Sequence, residues 1–365
     1  MTAFIHIFRF IIIALIILFN LNVLWGQSSD PIVLDVAWSP DGEMIAAVDD
    51  SGTLSVTLPD QTTPVFQFKR PVTLVEAAVE WSPQGDHLAA GIGNRMYIWD
   101  AATWQMLHEF EVGLPEGVYT YGPIDNIPEG VKTINWSLDG GYVVVGTASY
   151  ETSVWNMQAA QLIFREGDAS GGGPGRVWLG DDGWMGDGAN KLNAFTEERL
   201  LPSIEDNQHA FGGSAEGGTT ESRADNTQIA WGNDSGFLLI IDLNTTRGVQ
   251  SFEVADAPST VSRRGLADVS WDGTWDFIAA ASRDGELYVV DLITGEVTSI
   301  LKVDGQLKAI DWNSQSNEII YAGVSDSGEP ILSVVDVSGM GGVPVKTSTP
   351  RPTVKPTATP LPIKG

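Results

Sequence analysis

Trp38-Ser-Pro-Asp-Gly-Glu-Met-Ile45-Ala-Ala and Trp81-Ser-Pro-Gln-Gly-Asp-His-Leu88-Ala-Ala are two copies of one pattern: a tryptophan, a turn and, seven residues after the tryptophan, a short aliphatic run. The pattern returns at Trp136-Ser-Leu-Asp-Gly-Gly-Tyr-Val143-Val-Val, at Trp271 with Ile278-Ala-Ala and at Trp312 with Ile319-Ile-Tyr, and the five copies align without a gap. Periods of roughly 40 to 55 residues hold several short strands and their turns. One such unit cannot bury its apolar faces alone and must stack on neighbours, so the repeat predicts an all-β propeller.

A second register runs inside each repeat, where an apolar triplet ends in Asp or Asn. It is seen at Tyr97-Ile-Trp99-Asp100, Ser153-Val-Trp155-Asn156, Leu239-Ile-Ile241-Asp242, Tyr288-Val-Val290-Asp291 and Ser333-Val-Val335-Asp336. A β-rich run closed by Asp and followed by Ala101-Ala-Thr103 or Leu292-Ile-Thr-Gly295 reads as a third strand feeding a hairpin. The fourth strand then follows, as in Gln105 to Phe110 or Glu296 to Leu301.

Residues 31 to 340 resemble the WD40 and WD40-like propeller families, with the best local match at Met96-Tyr-Ile-Trp99-Asp100. No Gly-His dipeptide precedes a first strand, so the buried His-Asp network of that family is not expected. The Trp-Ser-Pro-Asp-Gly turn at Trp38 is more similar to the blades of extracytoplasmic bacterial propellers of the TolB type. The resemblance implies a fold and is nearly silent on function.

A seven-bladed β-propeller is therefore expected, its blades starting near Ile32, Val72, Val131, Arg176, Ala210, Leu266 and Leu307. The Arg176 and Ala210 blades carry the weakest pattern, with Ser222 standing where a first-strand tryptophan belongs. The last blade runs out after Val335-Asp336-Val337, and a strand from about residues 22 to 30 would close it.

Outside the propeller, expected over residues 27 to 340, two segments have their own composition. Residues 1 to 26 join a charged Arg9 to the apolar run Phe10 to Phe19 and end at Gly26. That is the layout of a signal peptide, or of a membrane anchor if Arg9 snorkels, and either reading puts the body outside the cytoplasm. Residues 341 to 365 are a Thr/Pro-rich tail that cannot bury a core and favours an extended, polyproline-like chain. There is no cysteine, so packing alone must stabilise the exported body.

The whole chain has 47 acidic and 20 basic residues, and all the acids fall between Gln27 and Met340. Such a charge repels phosphate backbones and argues against nucleic acid as a partner. Three long connections, Gly113 to Gly130, Gly167 to Gly175 and Asn207 to Ser222, share the face that also carries the turns between second and third strands. Tyr119, Tyr121 and Tyr150 on that face read either as contact anchors for a partner or as packing residues. Acidic turns on the same face, among them Asp234 and Asp284, read as an electronegative rim or as ordinary hairpin-turn chemistry.

No stretch has the alternating ligand spacing of a Ca²⁺ loop, no Gly-x-Ser-x-Gly elbow occurs, and nothing implies a cofactor. Ser270-Trp-Asp-Gly-Thr-Trp275 has some likeness to a sialidase Asp-box but falls in register with the other tryptophan repeats. The leading expectation is a monomeric, non-catalytic scaffold that binds a protein or a cell-envelope component and meets membrane only through residues 1 to 26 if they are retained. The alternative is a propeller enzyme acting on glycans or peptides through carboxylates at the central mouth.

Overall fold

The computed structural model describes residues 30–71, 76–112, 130–148, 151–167, 177–178, 184–186, 191–196, 199–200, 219–223, 227–233, 235–242, 247–255 and 265–344. Every regular element among them is a β-strand, and every strand pair is an antiparallel hairpin pair. Each sheet follows chain order from an innermost strand outward. The innermost strands stand side by side in the order Val33–Trp38, Ala77–Trp81, Val131–Trp136, Val177–Trp178, Thr219–Ser222, Leu266–Trp271 and Gly305–Trp312, and the last returns to the first. This is an all-β propeller.

The repeat follows from strand register. Trp38 lies opposite Ile45, Trp81 opposite Leu88, Trp136 opposite Val143, Trp271 opposite Ile278 and Trp312 opposite Ile319, each across the first hairpin of its sheet. The residue seven after the tryptophan is thus its cross-strand neighbour, and the third strand adds another layer, as in Leu88 opposite Trp99 or Ile278 opposite Val290. These layers form the cores between sheets: Trp81, Leu88, Tyr97 and Trp99 pack with Val48, Leu54 and Val56 of the preceding sheet. Leu88 and Trp99 are essentially inaccessible, and burying such side chains stabilises by ~1.5–3 kcal/mol each.

Turn residues explain the rest of the motif. Ser39, Ser82 and Ser137, each directly after a tryptophan, accept the backbone N–H of Met44, His87 and Tyr142 and so close the first hairpin. The Asp or Asn ending the third strand caps the second turn. Asp100 Oδ1 accepts from the backbone of Ala102 and Thr103, and Asp291 Oδ1 from that of Ile293 and Thr294. Both are local side-chain turns that stop the strand and start the hairpin.

The expectation of a seven-bladed propeller is corrected to six blades among the described residues. Among the described residues six sheets have four strands and make six complete blades, whereas the sheet of Gly305–Trp312, Glu318–Ser325 and Pro330–Asp336 has three. After Pro330–Asp336 the chain does not add a strand. It turns at Val337 and runs onto the Trp271 sheet, where Gly341 meets Thr298, Gly342 meets Asp291 and Phe277, and Val343 is buried. Residues 22–29, which the sequence offers for the missing strand, lie outside the described residues, as do most of the leader-to-body junction and the tail beyond Pro344.

Candidate functional site

The innermost strands surround a central channel of about 360 Å³. Among the described residues five carboxylic acids, Asp35, Glu80, Glu221, Asp268 and Asp311, stand along its wall, and a sixth, Glu76, lies at one end. Glu80, Glu221 and Asp311 stand one residue before the tryptophan register, and Asp35 and Asp268 three before it. Alternation along a strand puts these two positions on one face, the face turned to the axis. Thr133 and Asn135 occupy the same positions in the Trp136 sheet and Thr219 and Ser270 in two others, so six of the innermost strands contribute polar groups to the lining. Glu76, Lys132, Arg283 and Lys308 line the end where the innermost strands begin.

An innermost strand is a sheet edge, with backbone N–H groups that no strand of its own sheet can satisfy. Four of the channel acids satisfy them across the seams, each accepting from the sheet that follows its own. Asp35 accepts from Val79 N–H at 2.9 Å, Glu221 from Trp271 N–H at 2.9 Å, Asp268 from Ile310 N–H at 2.9 Å and Asp311 from Trp38 N–H at 2.6 Å. The last bond joins the final described sheet to the first and closes the ring. Thr219 Oγ1 donates to Asp268 at 2.8 Å, and Ser270 Oγ donates to Asp311 at 3.0 Å while accepting from Trp312 N–H. Among the described residues no group donates a hydrogen bond to the Glu80 carboxyl.

The repeat tryptophans make a second row of links. Trp81 Nε1 donates to Ala37 O, Trp136 Nε1 to Glu80 O and Trp271 Nε1 to Glu221 O, each reaching back to the preceding sheet. Among the described residues the Nε1 groups of Trp38 and Trp312 are buried without an acceptor. Those two seams depend on Asp311 and Ser270 instead.

Burial decides the charge state of the acids, because a carboxylate loses hydration inside the channel and faces its own kind across it. Burial pushes Asp311 up to about 7 and Asp268 up to about 6, despite the hydrogen bonds each accepts. Burial, then repulsion from Asp268, holds Asp35 well above the usual carboxylate range. Burial, then repulsion from Asp311, does the same to Glu80 and Glu221. The cluster therefore retains protons at pH values where isolated carboxyls have lost them.

The residues proposed from sequence lie elsewhere. Tyr119, Tyr121, Tyr150 and Asp234 are outside the described residues. Asp284 sits in the turn before Gly285, accepts from Ser282 Oγ and lies 3.7 Å from Lys302 Nζ, so local partners engage it. Asp49, in the equivalent turn of the first sheet, accepts from Ser51 and Thr53. The acids of the channel come from the innermost strands, not from these turns. A sequence signal existed for them: an acid one or three residues before four of the five repeat tryptophans, plain in Asp35-Val-Ala-Trp38, Glu80-Trp81, Asp268-Val-Ser-Trp271 and Asp311-Trp312.

With this geometry established, residues 20–56 match the family model described as WD domain, G-beta repeat. That stretch is similar to a WD40 repeat. That WD40 match covers the first sheet's three inner strands and the residues leading into them. The chain is similar to the anaphase-promoting complex subunit cdc20 of Dictyostelium discoideum, at 22% identity over 249 residues, 66% of this chain and 45% of that protein. It is similar to protein HIR2 of Debaryomyces hansenii at 21% over 327 residues, covering 86% of this chain and 29% of that one. A shorter stretch of 110 residues is 34% identical to the type IV pilus biogenesis factor PilY1 of Pseudomonas aeruginosa, covering 29% of this chain and 9% of that protein. The chain spans less than half the length of each of these relatives.

Proposed function

We propose that this chain is a non-catalytic interaction scaffold, exported by the segment Met1–Gly26, whose loop-bearing face binds a protein or a cell-envelope component. The observation that carries this reading is the engagement of the channel acids. Four of the five, Asp35, Glu221, Asp268 and Asp311, accept a backbone N–H of the next sheet. A carboxyl held in that way closes the ring and cannot swing onto a substrate, which removes support from chemistry at the central mouth. Two relatives support a role in assemblies, one a complex subunit and one a pilus biogenesis factor. The second also favours the envelope, as do the leader pattern and the TolB-type turn at Trp38.

The test uses the full chain as bait in envelope and culture-supernatant extracts, beside the double variant Tyr119→Ala, Tyr121→Ala. Capture of a defined protein by the first bait and its loss from the second, at an unchanged melting temperature, supports the scaffold reading with these tyrosines as anchors. Equal retention by both baits removes the tyrosines from it. A glycan or peptide turnover abolished by Glu80→Gln would replace it with the enzyme reading.

A further inference from the structure

The first hairpin turn of the Trp271 sheet departs from the turn that three other sheets share. Four residues after the repeat tryptophan, three sheets place a glycine with positive φ: Gly42 at 70°, Gly85 at 72° and Gly140 at 71°. The Trp271 sheet places Trp275 there, at φ 66°. A bulky residue in the left-handed region is strained, and such strain persists where the side chain has another use. The indole is not used in the core, being 37% exposed. One face of it is backed by Arg223 of the preceding sheet, whose Cζ lies 4.9 Å from the ring centroid. Ile293, in the second turn of the same sheet, is 75% exposed, and its neighbour Leu292 donates its N–H to Asp276 O, beside Trp275. Trp275 and Ile293 thus form an uncovered apolar patch at the hairpin end of one sheet, flanked by the exposed acids Asp276 and Glu296.

The described chain ends next to this patch. Gly342 packs on Phe277 and Asp291, each two residues from a patch residue, and Pro344 O accepts from Asn317 Nδ2 at 2.6 Å. Beyond it lie 21 residues with five prolines, four cations (Lys346, Arg351, Lys355 and Lys364) and no acid, in a chain whose formal net charge is −27. An extended Pro-rich chain advances about 3.1 Å per residue, so the tail reaches the patch many times over. We propose that the Thr/Pro-rich tail of this same chain folds back onto the Trp275–Ile293 patch, with prolines against the indole and Lys or Arg against Asp276 and Glu296. A polyproline-type strand is preorganised for an aromatic platform, and the opposite charges fix its place on this face.

The absence of cysteine makes a direct test available in the full chain. A nitroxide is attached to Ala358→Cys and the indole N–H resonances are recorded, with Trp275 assigned by its loss in Trp275→Gly. Broadening of the Trp275 signal at least twofold beyond that of Trp104 and Trp81, removed by reduction of the label and by Pro350→Ser, Pro352→Ser, Pro356→Ser together, supports the contact. Unbroadened Trp275, or equal broadening of all indoles, overturns it. Trp275→Gly places there the residue type found in the Trp38, Trp81 and Trp136 turns, at a φ that glycine adopts freely, and so keeps the fold. In that variant a second nitroxide experiment, read on the backbone amides of Ile293 and Asp276, should lose at least half its broadening. Unchanged broadening there overturns the role of the indole.

Discussion

Asp100 and Asp311 make hydrogen bonds of the same kind and titrate in opposite directions. Asp100 Oδ1 accepts from Thr103 Oγ1 at 2.7 Å and from the backbone N–H groups of Thr103 and Ala102 at 2.8 and 3.1 Å. Asp311 accepts from Trp38 N–H at 2.6 Å and from Ser270 Oγ at 3.0 Å. The bonds from Thr103 hold Asp100 below the ordinary carboxylate value, while burial pushes Asp311 up to about 7. The difference lies in water. A turn carboxylate keeps its hydration and gains donors, whereas a channel carboxylate gives up hydration and faces four other acids, so its donors compensate only in part. The chain uses one residue type for two tasks, local turn closure and the joining of separate sheets, and only the second carries an electrostatic cost.

The largest test of that distinction is Asp311→Ala. It strands the Trp38 N–H and the Ser270 hydroxyl at the seam that closes the ring, and should lower unfolding free energy by about 2–4 kcal/mol in urea titration. Asp311→Asn, which still offers an oxygen, should lose clearly less at pH 5. Equal losses would mean that the carboxylate charge, not the acceptor, joins the sheets.

A second effect appears in the pH profile. For a carboxyl raised on folding, the folded protein holds a proton that the unfolded chain has already released, so stability is full below the ordinary value of 3.8 and falls as pH rises through the folded value. With Asp268 at about 6 and Asp311 at about 7, melting temperature should decline between about pH 5 and pH 8. Asp86 and Asp100, both lowered, work the other way and give stability that is lost as pH falls below about 4. The double variant Asp268→Asn, Asp311→Asn should make the alkaline slope shallower, with Asp35, Glu80 and Glu221 supplying the rest, and leave the acid slope in place. A profile that rises steadily to pH 8 would contradict the burial of these acids.

Glu80 gives a smaller effect of opposite sign. Because no described residue donates to its carboxyl, Glu80→Gln removes a buried acid without stranding a donor, and should stabilise by about 1 kcal/mol at pH 8 with little change at pH 5. Asp284→Asn should matter least, less than about 0.5 kcal/mol, since its contact with Lys302 is solvent-exposed and 3.7 Å long. A larger loss there would place the turn acids closer in role to the channel acids.

Some of this was legible from sequence because it depends on neighbours along the chain. Trp81 and Leu88 face each other across one hairpin, and Asp100 caps a turn three residues long, so both leave a fixed spacing. The channel acids left a signal too, one or three residues before the tryptophan, but it is weak because the two positions are interchangeable. Asp35 and Glu80 reach the same axis from different registers, and no spacing inside one repeat says that they meet. Ser222 shows the same limit from the other side: it lies opposite Ile229 as Trp271 lies opposite Ile278, and register holds although the marker residue is gone.

By itself, the sequence determined the strand-turn unit, its repetition and the residues that cap its turns, because hairpin register and turn chemistry are local and tolerate no slip. Tertiary structure alone decided that the last described sheet stops at three strands while its chain runs onto Phe277 and Asp291. It also decided that five acids distant in the chain share one channel, and that Asp311 joins the end of the ring to its beginning across 273 residues. These outcomes depend on closing a ring, which brings together residues from every repeat and sets their protonation by a burial that no single repeat contains.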